Sequence, residues 1–238
     1  MKNAELEFPQ KEEKDHWYWM IKQVIDIVPY GNILSEILSE YLPSSFERRK
    51  EKWIKDVANR LDELIVKDNT LVNNLKNNEE FISLLLETTQ KALRTHLDEQ
   101  MNLYACILKN SILIDVSYYL KSIFVRYIEE LHPVQILFMN YIYLNKDKLF
   151  QIDSFSDYYY LFEKDNKILD LTIDSMWFFL MDLEKRGLLY VSNNLNPPEL
   201  KVAKTFESFN VKCEDPILDQ PYISINELGV SFLQMIKE

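Results

Sequence analysis

The stretch "MWFFLMDLEKRGLLYV", Met176 to Val191, decides how the C-terminal half of this chain is read. Six apolar residues followed by Asp182, Leu183, Glu184, Lys185 and Arg186 spell a helix that closes on a charged tip. Gly187 then stands where a helix end takes up the left-handed conformation, and Leu188–Val191 has strand-like composition. Thr172 is placed to cap the first turn. Helix, glycine and strand in this order form the second half of a winged helix, whose corresponding helix often enters a DNA groove. A groove-reading helix needs Arg, Lys, Asn or Gln on its outer side to reach base edges, and this one offers none before Lys185. With Met176–Met181 apolar all round, the helix is expected to be buried on both faces. Trp177 and Phe178 are then candidate anchors for a protein partner.

The flanking segments complete the pattern. "PVQILFMNYIYLN" begins with Pro133 at a tolerated first-turn position, and "SDYYYLF" is a short aromatic segment, helix or turn. "QPYISI" reads as a second strand, reached through a polar, proline-containing stretch, and "NELGVSFLQMIKE" as a closing helix. Residues 131–238 are therefore expected to form a winged-helix-like domain with a small β-hairpin and an elongated wing.

Residues 1–130 carry a different rhythm. Trp17, Met20, Ile21, Val24, Ile25 and Val28 recur at helical spacing, and "NILSEILSEYL" runs up to Pro43, whose ring disfavours helical geometry just ahead of it. A third stripe, Phe46, Trp53, Ile54, Val57, Leu61, Leu64 and Ile65, follows a serine cap at Ser44 or Ser45. The segment from Asn77 or Asn78 to Ile114 is apolar at helical period, as one helix or as two with a bend near Thr88 and Thr89. Asp115 is placed to cap a last helix, "VSYYLKSIFVRYIEEL". The expected fold is mainly α: an N-terminal antiparallel helical bundle of five or six helices, followed by the winged-helix-like domain.

Composition removes several function classes. The formal net charge of -11 opposes binding to a polyanion, and the part from residue 129 onward, with about 18 acidic and about 10 basic side chains, is the more acidic. Three glycines, Gly31, Gly187 and Gly229, are too few for the phosphate-cradling loops of nucleotide enzymes. Cys106 and Cys213 lie far apart without zinc-ligand spacing, and the three histidines fall in different elements. No cofactor or metal is expected. The polar start and the lack of about 18 uninterrupted apolar residues suggest neither a signal peptide nor a membrane span, so the expected location is the cytoplasm.

Four side-chain groups are candidate sites. Arg48, Arg49, Lys50 and Lys52 form a basic patch in the first turns of a helix, where the dipole favours acids; it is either a solvated face answering Glu47 and Glu51 or an anionic contact surface. His96, Asp98 and Glu99 lie close in sequence, but an acid/base site would need a group from another helix. Glu214, Asp215 and Asp219 can offer oxygens to a cation, or simply form a solvated wing tip. Arg126 and His132, in "RYIEELH", are similar in spacing to the arginine and histidine of some all-helical ribonucleases of prokaryotic defence systems, where the histidine moves protons and the arginine steadies phosphate charge. In this chain Tyr127 departs from the polar residue usual after that arginine, and the other reading is an arginine that ends its helix and a histidine that caps or packs at the junction before Pro133.

Across most of its length the chain resembles bacterial abortive-infection alpha-type proteins. The similar segments are "YGNILSEILSEYLPSSFERRKEKW", with its glycine and later arginine, the "hP" junction in "ELHPVQILFMNYI", and the Gly-Leu and terminal Gly-x-x-F patterns in "LEKRGLLYV" and "NELGVSFLQMI". The resemblance implies a role in phage defence and carries no catalytic residue over. The expected function is a non-enzymatic intracellular bacterial protein acting through protein contacts in phage defence or stress response. The alternatives are a DNA-binding regulator using Lys185, Arg186, Lys201 and Lys204, and a ribonuclease using Arg126 and His132.

Overall fold

A computed structural model describes residues 21, 44–65, 74, 75, 77–149, 152, 154–166, 171–192, 195 and 222–238. Apart from the buried, helical Ile21, the two helical segments expected before Pro43 lie outside the described residues. So do the wing with Lys201, Lys204 and Cys213, and the acidic run Glu214, Asp215 and Asp219. The described part is mainly helical, with one antiparallel pair of strands. Its residues up to Glu130, together with Met235–Glu238, form one compact unit, and those from Leu131 to Gln234 form a second.

In the first unit, α1 (Ser44–Ile65), α2 (Glu79–Arg94), α3 (Asp98–Leu113) and α4 (Tyr118–Glu130) follow one another. Helix α3 packs against the other three, which accounts for its sequence. Five consecutive residues, Tyr104 to Leu108, are buried, and only a central helix can hide every side in this way. The outer helix α1 instead buries a single stripe, Trp53, Ile54, Val57, Ala58, Leu61 and Leu64.

Helix α2 starts on Asn78, whose side chain accepts the Phe81 N–H at 3.0 Å. It continues through Thr88 and Thr89 without a break. The Thr88 hydroxyl donates back to Leu84 and Leu85 carbonyls at 2.8 and 3.1 Å, and Thr89 accepts the Trp53 indole N–H, so both hydroxyls are satisfied inside a regular helix. The break falls at Thr95–Leu97, where Thr95 Oγ1 accepts the Leu97 N–H at 3.1 Å. Helix α4 is likewise capped by Ser117, which accepts the Leu120 N–H at 3.4 Å, and not by Asp115.

The second unit contains α5 (Pro133–Leu144), α6 (Lys146–Leu149), α7 (Phe155–Asn166), α8 (Ile173–Lys185), β1 (Leu189–Val191), β2 (Ile223–Ile225) and α9 (Glu227–Ile236), whose last two residues belong to the first unit. The aromatic segment "SDYYYLF" lies in the helix α7 and is not a turn. Its Phe162 receives the rings of Phe138 and Tyr141 edge-on at 5.0 and 5.4 Å, and its Tyr158 hydroxyl donates to Leu149 O and accepts the Ile223 N–H. One phenol therefore joins α6, α7 and β2. The strands pair with Leu189 opposite Ile225 and Val191 opposite Ile223.

Gly187 ends α8 at φ 71°, the conformation expected from its place after the charged tip, and the Leu188 N–H closes on Leu183 O at 3.0 Å. Gly229 has a different reason. A Cβ there would stand 2.2 Å from the Leu188 carbonyl oxygen, so α9 packs on the chain just ahead of β1 with no room for a methyl group.

Candidate functional site

Helix α8 opens on Thr172, whose hydroxyl accepts the Ser175 N–H at 3.2 Å. Met176, Leu180 and Leu183 recur at four and three residues and are fully buried. At about 100° per residue, Phe178 lies opposite that stripe, and it is 64% exposed. The helix is thus buried on one face and not on both: an unbroken apolar run says nothing about which side the core occupies. Asp174, Phe178, Met181 and Lys185 follow one another at helical spacing along the outer side. Trp177 is half-buried, its ring edge-on to Phe155 at 5.0 Å. Arg186 donates to Asp182 at 2.9 Å, which leaves Lys185 as the exposed cation at the end of this helix.

Arg126 is exposed on α4 in the first unit, with its Nε 3.7 Å from Glu130. His132 opens α5 in the second unit. Its Nδ1 accepts the Val134 N–H at 3.2 Å, its own N–H donates to Gln135 Oε1 at 2.8 Å, and its ring stacks on Phe179 at 5.2 Å. The imidazole thus does the work of a helix cap, one of the two roles its position before Pro133 allowed.

The basic patch of α1 opens onto a cleft of about 700 Å³ that Arg48, Lys52 and Lys55 share with Glu51, Asp56, Asp98 and Glu99. Its charges nearly cancel. Lys52 donates to Asp98 at 2.8 Å and holds that carboxyl below the usual range, so Asp98, one of the two acids named beside His96, answers the lysine instead. Arg49 is half-buried, with its guanidinium 5.9 Å from the Phe46 ring centre. Its Nε is shut off from solvent without a hydrogen-bond partner among the described residues.

Sequence reasoning passed over a second constellation, built on Arg60. Its Nε donates to Asp56 at 3.2 Å, Nη1 to Cys106 Sγ at 3.4 Å, and Nη2 to Asn102. Burial opposes the charged guanidinium, yet Cys106, Asp56 and Glu238 together hold it above its ordinary value. Burial also pushes the Cys106 thiol up, against the pull of Arg60, which makes it a poor nucleophile. No signal local to "NRLDEL" marks this arginine, because its partners other than Asp56 are 42 residues away or further.

Among the described residues no three His, Cys, Asp or Glu side chains converge as a metal site, and no helix is long and apolar enough to cross a membrane. No family model, no curated protein and no solved structure matches this chain.

Proposed function

We propose that this chain is a cytoplasmic bacterial adaptor that works through protein contacts in phage defence or a related stress response, and that its second unit is built on the winged-helix plan. The observation that carries the reading is Phe178, 64% exposed in the middle of α8, with Met181 and half-buried Trp177 nearby on the same helix. Burying a phenylalanine against a partner is worth roughly 1.5–3 kcal/mol, and aromatic side chains are frequent anchors of interfaces. The order α7, α8, β1, β2, α9 supports the winged-helix plan. The exposed Phe178 on the outer side of α8 and the net charge of -11 favour a protein over DNA as its ligand. The assignment to phage defence rests on the resemblance of the "ELHPVQILFMNYI" and "LEKRGLLYV" segments to abortive-infection proteins.

The test compares bacteria carrying the wild-type gene with bacteria carrying Phe178→Asp, challenged with a panel of phages, while circular dichroism checks that the variant is folded. Protection by the wild type and its loss in the folded variant are expected. Equal protection by both removes α8 as the contact surface, and no protection by either removes the defence role. Tight binding of duplex DNA that weakens steeply with salt overturns the adaptor reading in favour of a DNA-binding regulator.

A further inference from the structure

The outer stripe of α8 reads Asp174, Phe178, Met181 and Lys185, at steps of four, three and four residues. These are the steps by which two helices pack along each other. Phe178 is 64% exposed and Met181 half-buried, and the two charges stand symmetrically around them, Asp174 four residues before Phe178 and Lys185 four residues after Met181. Neither charge makes an ion pair or side-chain hydrogen bond among the described residues, although Arg186 and Asp182 on the same helix answer each other at 2.9 Å. Along one helix Asp174 and Lys185 lie about 16 Å apart, so they cannot pair within a single copy. Read backwards, the stripe offers a base where it offered an acid and an apolar side chain where it offered another. Laid antiparallel on a second copy about a twofold axis between Phe178 and Met181, Asp174 meets Lys185 of that copy at both ends, and Phe178 meets Met181.

We propose that the partner anchored by Phe178 is a second copy of this chain, packed antiparallel on α8 as a twofold dimer. The proposal rests on the reading of α8 as a contact surface and names what that surface contacts. The Phe178 ring against the Met181 thioether fills the centre, where sulfur and aromatic carbon attract. The two ion pairs at the ends fix the register and the antiparallel direction, since a parallel pair would set Asp174 against Asp174 and Lys185 against Lys185. Four positions of one helix bury less surface than a permanent dimer does, and a net charge of -11 on each copy opposes approach, so the association is reversible.

The experiment uses the full chain and sedimentation equilibrium, with circular dichroism to show that each variant is folded. The wild type should pass from monomer to dimer between micromolar and millimolar concentration. Asp174→Lys alone and Lys185→Asp alone each set like charges against one another at both ends of the contact, and each should weaken the dimer at least about tenfold. An equimolar mixture of the two variants restores opposite charges at both ends and should dimerise as the wild type does. A variant that had merely lost its fold could not be rescued in this way. The dimer is overturned by a wild type that stays monomeric over that range, by single variants that dimerise as well as the wild type, or by a mixture that stays monomeric. A monomeric wild type whose protection against phage is lost in Phe178→Asp overturns the dimer and leaves the proposed function standing, with another protein on α8. A wild-type dimer that responds to the charge variants, beside equal protection by Phe178→Asp, keeps the dimer and removes α8 from the defence role.

Discussion

The indole N–H of Trp53 on α1 donates to the hydroxyl of Thr89 on α2 at 3.1 Å, and both residues are closed to solvent. Thr89→Val keeps the shape but strands the indole donor, so the first unit should lose about 1–3 kcal/mol. A urea titration reads this as a lower midpoint at unchanged slope. In a Trp53→Phe background the same change should cost much less, since the donor is gone. Equal penalties in both backgrounds would assign the loss to packing alone.

Two glycines should respond differently to alanine. Gly187→Ala meets open space but must hold φ at 71°, which costs about 1 kcal/mol. Gly229→Ala drives a methyl to 2.2 Å from a backbone oxygen, so α9 must shift away from Leu188. Its thermal midpoint should fall further than that of Gly187→Ala, and a smaller fall would mean that α9 moves freely.

The capping role of His132 has a stability signature. His132→Ala removes the acceptor of the Val134 N–H and should cost about 0.5–2 kcal/mol, while His132→Asn keeps an acceptor there and should recover most of that loss. The purified wild-type chain should leave RNA intact. Degradation of RNA that disappears in His132→Ala would restore the Arg126–His132 nuclease reading.

Glu184 supplies a pH dependence. Burial raises its carboxyl above the ordinary value, against the opposing Val191 N–H, which donates to it at 3.2 Å. A raised acid binds its proton more readily in the folded than in the unfolded chain. Its contribution is therefore present below the ordinary glutamate value, near 4.3, and is lost as pH rises through the folded one. Glu184→Gln keeps an oxygen for Val191 and should flatten that decline. Parallel stability profiles for wild type and variant between pH 4 and 7 would contradict this.

Much of the local structure follows from short-range chemistry. The caps at Asn78 and Thr172 and the glycine ending at Gly187 are set by residues within a turn of one another, and the α1 stripe by its period. Of the two readings of the segment from Asn77 or Asn78 to Ile114, two helices are found, but they part at Thr95–Leu97 and not at Thr88 and Thr89, because a threonine hydroxyl can be satisfied inside a helix, here by Leu84 and Leu85 carbonyls. The exposure of Phe178 was hidden by its apolar neighbours, since six apolar residues in succession give no phase to the buried stripe. The hydrogen bonds that Asn110 donates to Met235 O and Lys237 O were not visible at all, because they span 125 and 127 residues.

Gln135 completes the capping box at the start of α5 in a way that turns an ordinary choice into a forced one. Its oxygen accepts the His132 N–H, a task that glutamate performs as well as glutamine in most boxes of this kind. Its nitrogen, however, donates to Asp182 at 3.0 Å and to the Phe179 carbonyl at 3.3 Å, both on α8. A glutamate would face a carboxylate with a carboxylate. The single NH₂ group that separates the two amino acids thus sets where the start of α5 meets the middle of α8, and places the same helix that presents Phe178.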